Sequence, residues 1–310
     1  MNEMPDNGRA PICKIHYSMI PGSDGKLYCA THFSGPPAGS PVWRPWHTWD
    51  DPYRMASGFH IFTYDPENGA VEDFGIMAPN EGCRAMAMAE TRQLLYGVTW
   101  PRNHFYVYDI KQKKYSDKGR IGEINPQAIW VDNCGNGYTV DDFGSIIKYD
   151  TEAERLFSTG SVLPKAKGCV SDARSVYDAV PSPDGKSIYG SLWNLECVPF
   201  PERLFRFDFQ TGEITDLGRG IEDDMEHTLN HIGGLVFGND DYLYYTASRP
   251  DRNRRIPFRM YLFRMHPDTL EKEEICAVDD GEWQSEYISK ATRDFAGNLY
   301  FADTNPTSAG

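Results

Sequence analysis

A four-part phrase, complete five times along the chain and begun a sixth, limits the fold more than any other feature. Its second part reads KLYCATH, LLYGVTW, NGYTVDD, SIYGSLW, YLYYTAS and NLYFADT. Its third reads HIFTYDP, FYVYDIK, IIKYDTE, LFRFDFQ and YLFRMHP. Its fourth reads VEDFGI, YSDKGR, LFSTGS and ITDLGR, with EEICAV a weaker last copy. The tyrosines of the second part (Tyr28, Tyr96, Tyr138, Tyr189, Tyr244 and Tyr300) lie 42 to 68 residues apart. Each part alternates or runs apolar over five to seven residues, as strands do, and the turns hold SDGK, PDGK and AGN. Four short strands per unit at this spacing mark a β-propeller blade. The expected fold class is all-β, a β-propeller of four-stranded blades, forming one domain over residues 1–310 with 1–13 as an N-terminal extension. Six blades are apparent, the last incomplete after NLYFADT, and a longer parent would have room for seven.

Composition narrows the function classes. The 310 residues are 40% hydrophobic and 25% charged, with no apolar run near the length that spans a bilayer. MNEMPDNGRAPIC has no apolar core, so no signal peptide is expected: the chain reads as cytoplasmic, or exported with a processed N-terminus. A net charge of −14 argues against nucleic acid and anionic membranes as partners. The seven cysteines are odd in number, widely spread and without a CxxC pair. That pattern supports neither a disulfide framework nor a thiolate zinc site, and reads as small core residues. No GxSxG elbow or phosphate-binding loop appears, so hydrolysis through a serine or cysteine nucleophile has no support.

The candidate chemistry begins in KIHYSMIPGSDGKLYCATHFSG, residues 14–35. His16 and His32 are equidistant from Asp24 in its turn, and equidistant residues of an antiparallel hairpin lie opposite each other. Aligning the repeats puts His16, Arg84, Gln127, Tyr177, His231 and Tyr287 near the starts of the inner strands. His32, Trp100, Asp142, Trp193, Ser248 and Asp303 fall at the ends of the second strands. Those positions share one face with the long loops at 33–58, 193–203 and 248–259, and irregular loops are where propellers place function. Such a gathering of titratable groups can shift pKa values and move protons.

The loops add Trp46 in VWRPWHTWDDPYR, suited to stacking on a sugar ring, and Arg249 in SRPDRNRRIPFR, suited to a bidentate grip on an anion. The same residues also suit plainer roles: the aromatics pin a long loop and the arginines pair with the protein's own carboxylates. His227 and His231 in IEDDMEHTLNHIGG have the i, i+4 spacing of metal ligands on a helix but lack the HExxH glutamate. No cofactor is otherwise called for, and a divalent metal would sit there. His47, His60, His104 and His266 read as surface or packing residues.

With the blade phrase and the paired histidines, the sequence resembles the β-propeller polysaccharide lyases, including the ulvan and rhamnosyl-glucuronate lyases. The resemblance covers most of the chain as architecture. It implies a lyase that cleaves an acidic, uronate-containing poly- or oligosaccharide by β-elimination at the propeller centre, with an anionic saccharide as partner. Carried over residue by residue, it gives catalytic roles to His16, His32 and Tyr177. It implies an arginine too, but Trp193 stands where that family's arginine falls, leaving Arg84, Arg174 and Arg249 as substitutes, Arg84 first. Gln127, Trp193, His231, Arg249, Tyr287 and Trp46 would bind substrate. Another propeller enzyme, streptogramin-lyase-like or lactonase-like, is a different reading, although lactonases hold calcium through acidic and Asn ligands that are sparse here. A non-catalytic scaffold binding a glycan or protein on the loop-rich face is the alternative function. The sequence leaves the oligomeric state open.

Overall fold

Turn chemistry explains why the phrase folds as it does. In four hairpins a turn aspartate accepts a hydrogen bond from the phrase tyrosine: Tyr28 to Asp24 at 3.1 Å, Tyr138 to Asp132 at 2.8 Å, Tyr244 to Asp240 at 2.9 Å and Tyr300 to Asp294 at 3.0 Å. The same aspartate also takes backbone N–H groups two residues on, closing an Asx turn that starts the second strand. These details come from a computed structural model that describes residues 8–33, 53–122, 127–165, 174–193, 203–221, 232–251, 258–279, 283–285, 288–303 and 307–308.

The chain forms two compact units, residues 1–142 with 147–157, and residues 143–146 with 158–310. The first blade comprises β1 (Ile12–Pro21), β2 (Leu27–Phe33), β3 (His60–Tyr64) and β4 (Val71–Ile76). The second comprises β5 (Gly82–Ala89), β6 (Leu94–Trp100), β7 (His104–Asp109) and β8 (Lys114–Arg120). The third sheet is β9 (Trp130–Val131), β10 (Gly137–Val140), β11 (Ser145–Asp150) and β12 (Arg155–Val162). In the second unit the fourth blade is β13 (Ser175–Pro181), β14 (Ser187–Trp193), β15 (Arg203–Asp208) and β16 (Ile214–Arg219). The fifth is β17 (Ile232–Phe237), β18 (Leu243–Pro250), β19 (Phe258–Met265) and β20 (Lys272–Ala277). After these come β21 (Trp283–Gln284), β22 (Ile288–Arg293), β23 (Leu299–Asp303) and β24 (Thr307–Ser308).

Every complete blade is an antiparallel meander in chain order, as the repeat implies. Among the described residues the sixth blade has only its inner pair, β22–β23, with β21–β24 a separate two-stranded ladder. Blades one and two join along their inner strands through a parallel pairing of Tyr17 with Ala85.

Packing follows from alternation. One face of each strand turns to the neighbouring blade, so Phe59 and Ile61 of blade one meet Tyr106 and Tyr108 of blade two in one core cluster. Phe74 stacks on Tyr108 at 5.6 Å between ring centres. Tyr189, Leu204, Leu243, Tyr245 and Phe263 form the corresponding core of blades four and five. On the outer strands, the first residue of the third strand pairs with an aspartate of the fourth in three blades: His60 with Asp73, His104 with Asp117 and Arg203 with Asp216. The two histidines there serve the sheet edge, in keeping with a surface role.

Candidate functional site

The hairpin that carries His16 and His32 does not keep a single register. Next to its turn the equidistant pairing holds: Pro21 with Leu27, Ile20 with Tyr28, Met19 with Cys29. Beyond a bulge it resumes as Ile15 with Thr31 and Lys14 with His32. His16 therefore lies inside the bulge, and the residue facing His32 is Lys14. The cause is the neighbouring blade, because β1 leaves its partner at this point to pair Tyr17 with Ala85. The offset of two residues preserves the face on which side chains point. The imidazoles still meet, with ring centres 5.1 Å apart.

Bulges recur at this level on other inner strands. Arg84 lies in the break between Cys83 and Ala85, Tyr177 and Asp178 between Val176 and Ala179, Leu235 between Gly233 and Val236. A bulge releases backbone groups from the ladder and re-aims side chains, and nearby groups take up what is released. His16 Nδ1 lies 2.8 Å from the carbonyl oxygen of Arg84. A carbonyl only accepts, so Nδ1 carries the proton, and in the neutral ring Nε2 holds the lone pair.

His32 is 1% exposed, edged by His16 and by Trp100 at 5.4 Å. Its Nδ1 has no hydrogen-bond partner. Burial first, then the charges of His16, Arg84 and Lys14, hold its pKa well below the usual value, against one backbone hydrogen bond at Cys83. His32 is a neutral imidazole. Gly82 is what admits it: a Cβ there would stand 2.7 Å from His32 Nδ1 and 3.1 Å from Phe33. Lys14 reaches solvent, yet desolvation of its amine and the neighbouring Arg84 lower its pKa as well. One polar spot thus holds two basic side chains and two imidazoles, a setting suited to an anion and to proton transfer.

Of the residues singled out in the sequence, His16, His32 and Arg84 come together in the first unit. Gln127 is also in that unit, buried ahead of β9. Tyr177 is buried in β13 of the second unit, and Trp193 ends β14 opposite Ser175. Arg174 donates to the Leu163 carbonyl. Arg249 is engaged by Glu274 and lies over the Tyr261 ring at 4.9 Å, and Arg259 forks onto Asp279 with both contacts at 2.9 Å. Trp46, His227, His231 and Tyr287 lie outside the described residues, so the metal expectation does too. Among the described residues no three His, Cys, Asp or Glu side chains gather as a metal would require.

Three residues whose roles the structure brings out, two at the cluster and one in the second unit, were not legible as such in the sequence. Lys14 becomes visible only once the bulge sets the register. Gly82 matters through the atom it lacks. Asp178, beside Tyr177, is fully buried; it accepts from Leu235 N at 2.8 Å and Ala179 N at 2.9 Å and pairs with Lys290. It thereby ties the inner strands of blades four, five and six.

No protein-family model matches the chain, and no curated protein matches its sequence. Solved structures do match its fold. Hydrazine synthase of Kuenenia stuttgartiensis aligns with a TM-score of 0.60 and 14% identity, over 97% of this chain and 76% of that one. The Cps50 (Swd1) β-propeller domain of Myceliophteria thermophila aligns at 0.57 and 11%, over 97% and 85%. The fold is a β-propeller. The periplasmic gluconolactonase PpgL of Pseudomonas aeruginosa aligns at 0.55 and 12%, over 93% and 73%. These neighbours include enzymes and a protein named only for its propeller, and at such identities they establish architecture alone.

Proposed function

We propose that the protein is a carbon–oxygen lyase that cleaves an acidic saccharide by β-elimination at the cluster on blades one and two. The observation that carries this reading is the tautomer of His16. With Nδ1 committed to the Arg84 carbonyl, its Nε2 is the basic nitrogen, at a point where the charges bearing on the site are positive.

Elimination needs that combination. The proton to be removed sits on C5 of a uronate, beside a carboxylate whose charge opposes a further negative charge on the carbon. A cation at the carboxylate lowers this barrier by accepting the charge that develops in the transition state. Arg84 and Lys14 would hold the carboxylate. His16 Nε2 would take the C5 proton, the C–H electron pair becoming the C4–C5 double bond as the C4–O bond breaks. The departing oxygen takes a proton from an acid, a role water can fill. His32, buried and neutral, would position the His16 ring instead of adding a third charge.

Appearance of the C4–C5 unsaturated uronate is followed by its ultraviolet absorbance, with a panel of uronate-containing polysaccharides as substrates. Wild type should generate the chromophore, and His16→Ala should lower the rate about 100-fold or more, the usual share of a general base. A chelator tests any dependence on metal. Folded wild type that generates no chromophore on the panel yet binds a saccharide would replace the lyase with a glycan-binding scaffold.

A further inference from the structure

We infer that Glu81 is a positioning residue for the paired imidazoles, acting on them through Trp100. It stands one residue before Gly82, the residue that admits His32, and Gly82 pairs with Trp100 across β5 and β6. Carboxylates are seldom buried unless they are paired, and the Glu81 side chain is only 6% exposed. Its burial raises its pKa, against the opposing pull of the Thr99 hydroxyl, Arg102 and His104. A carboxylate in that setting is costly to keep, and its contacts show what it holds in return.

Those contacts run to one short stretch, the turn from β6 to β7. Glu81 Oε1 accepts from Arg102 Nη1 at 3.1 Å and Oε2 accepts from Arg102 N at 3.4 Å, while the Thr99 hydroxyl donates to the same carboxylate. Thr99 Oγ1 in turn accepts from His104 N at 2.9 Å, and His104 Nδ1 lies 2.7 Å from Asp117 Oδ2. Trp100 is the residue enclosed between these anchors. It is 8% exposed, with its ring centre 5.4 Å from that of His32 and 5.2 Å from that of Phe33. Trp100 thus covers one side of His32, and Glu81 fixes the turn that carries the cover.

Indirect action of this kind and a direct charge effect have opposite signs. Removing a nearby anion makes a histidine harder to protonate and lowers its pKa. Loosening Trp100 admits water to His32 and relieves the burial that keeps it neutral, which raises its pKa. The charged and titratable groups that bear on His32, namely His16 and Lys14 of β1 and Arg84 of β5, are the same in both cases. What the placement does for catalysis rests on the elimination reading, whereas the link from Glu81 to His32 does not.

The full chain labelled with 15N-histidine is titrated by NMR, the His32 signal being assigned by its loss in His32→Phe. In wild type that signal should stay neutral from about pH 7.5 to about pH 5.5, the range in which an ordinary histidine titrates. In Trp100→Ala, where the cover itself is gone, it should titrate within that range. Glu81→Ala should do the same. Glu81→Gln keeps the shape and one acceptor for the turn, so it should titrate with a lower midpoint than the alanine variant, and it stands in should alanine fail to fold. A His32 signal that stays neutral in every folded Glu81 variant overturns the inference, whatever the loss in thermal midpoint, because the carboxylate then serves stability alone. No substrate enters this measurement, so a protein that never generates the unsaturated uronate still passes or fails it.

Discussion

At the scale of the residue, His32 is the group whose environment makes the strongest demand. Burial, reinforced by His16, Arg84 and Lys14, holds its pKa well below the ordinary value, so it is neutral in the folded chain. The unfolded chain takes up that proton near pH 6.5, as a model histidine does. From there downward the unfolded state binds more protons than the folded one, so stability falls with falling pH until the folded-state pKa is reached. One such group contributes a slope of at most about 1.4 kcal/mol per pH unit. Urea unfolding between about pH 7.5 and 5.5 should therefore show wild type losing stability more steeply than His32→Phe, which keeps the ring but not the titration. Parallel curves for the two proteins would mean that His32 is not held neutral. The meeting of the two histidines was legible from their distances to Asp24, whereas the pairing of His32 with Lys14 was not. A bulge is fixed by the neighbouring blade, through Tyr17 and Ala85, and nothing within the hairpin's own sequence announces it.

At the scale of the element, the inner strands are held in their bulged form by groups reaching between blades. Asp178 is the clearest case, with its side chain 2% exposed and its partner Lys290 112 residues away. Its carboxylate also receives the N–H of Leu235, which lies in the bulge of β17. Removing one partner of a buried pair leaves the others desolvated and unpaired. Asp178→Ala should thus destabilise the protein by about 3 kcal/mol, somewhat less than a fully buried pair would suggest because Lys290 keeps contact with solvent. Asp178→Asn, which retains an acceptor, should lose less. Denaturant midpoints of the two variants decide it, and an alanine variant as stable as wild type would show that the bulges stand without this tie. The strands themselves were legible because alternation and turn residues such as SDGK, PDGK and AGN are local, whereas the Asp–Tyr hydrogen bonds that close the turns, Asp132 with Tyr138 and Asp294 with Tyr300 among them, show only in the structure. The tie was not, since an aspartate beside Tyr177 in a strand looks like any surface residue until the fold brings Leu235 and Lys290 to it.

At the scale of the whole molecule, the site and the surface pull in opposite directions. The chain carries a net charge of −14, yet the cationic side chains acting on His32 are Arg84 and Lys14. A polyanionic saccharide approaching from solution meets the net charge first, over distances where salt matters most. The Debye length is about 30 Å at 0.01 M salt and about 10 Å at 0.1 M, so the first increments of salt remove the long-range repulsion. Contacts at Lys14 and Arg84 act over a few ångströms and are screened far less over the same range. Under the proposed lyase reading, the second-order rate constant kcat/KM on a long acidic polysaccharide should therefore rise between those two salt concentrations, and fall only above them as the local contacts weaken. A short uronate oligosaccharide, with fewer charges to repel, should show a smaller rise. A rate that falls from the lowest salt onward would place the governing field on a basic surface near the point of entry, and the overall charge would then have no part in selecting the substrate.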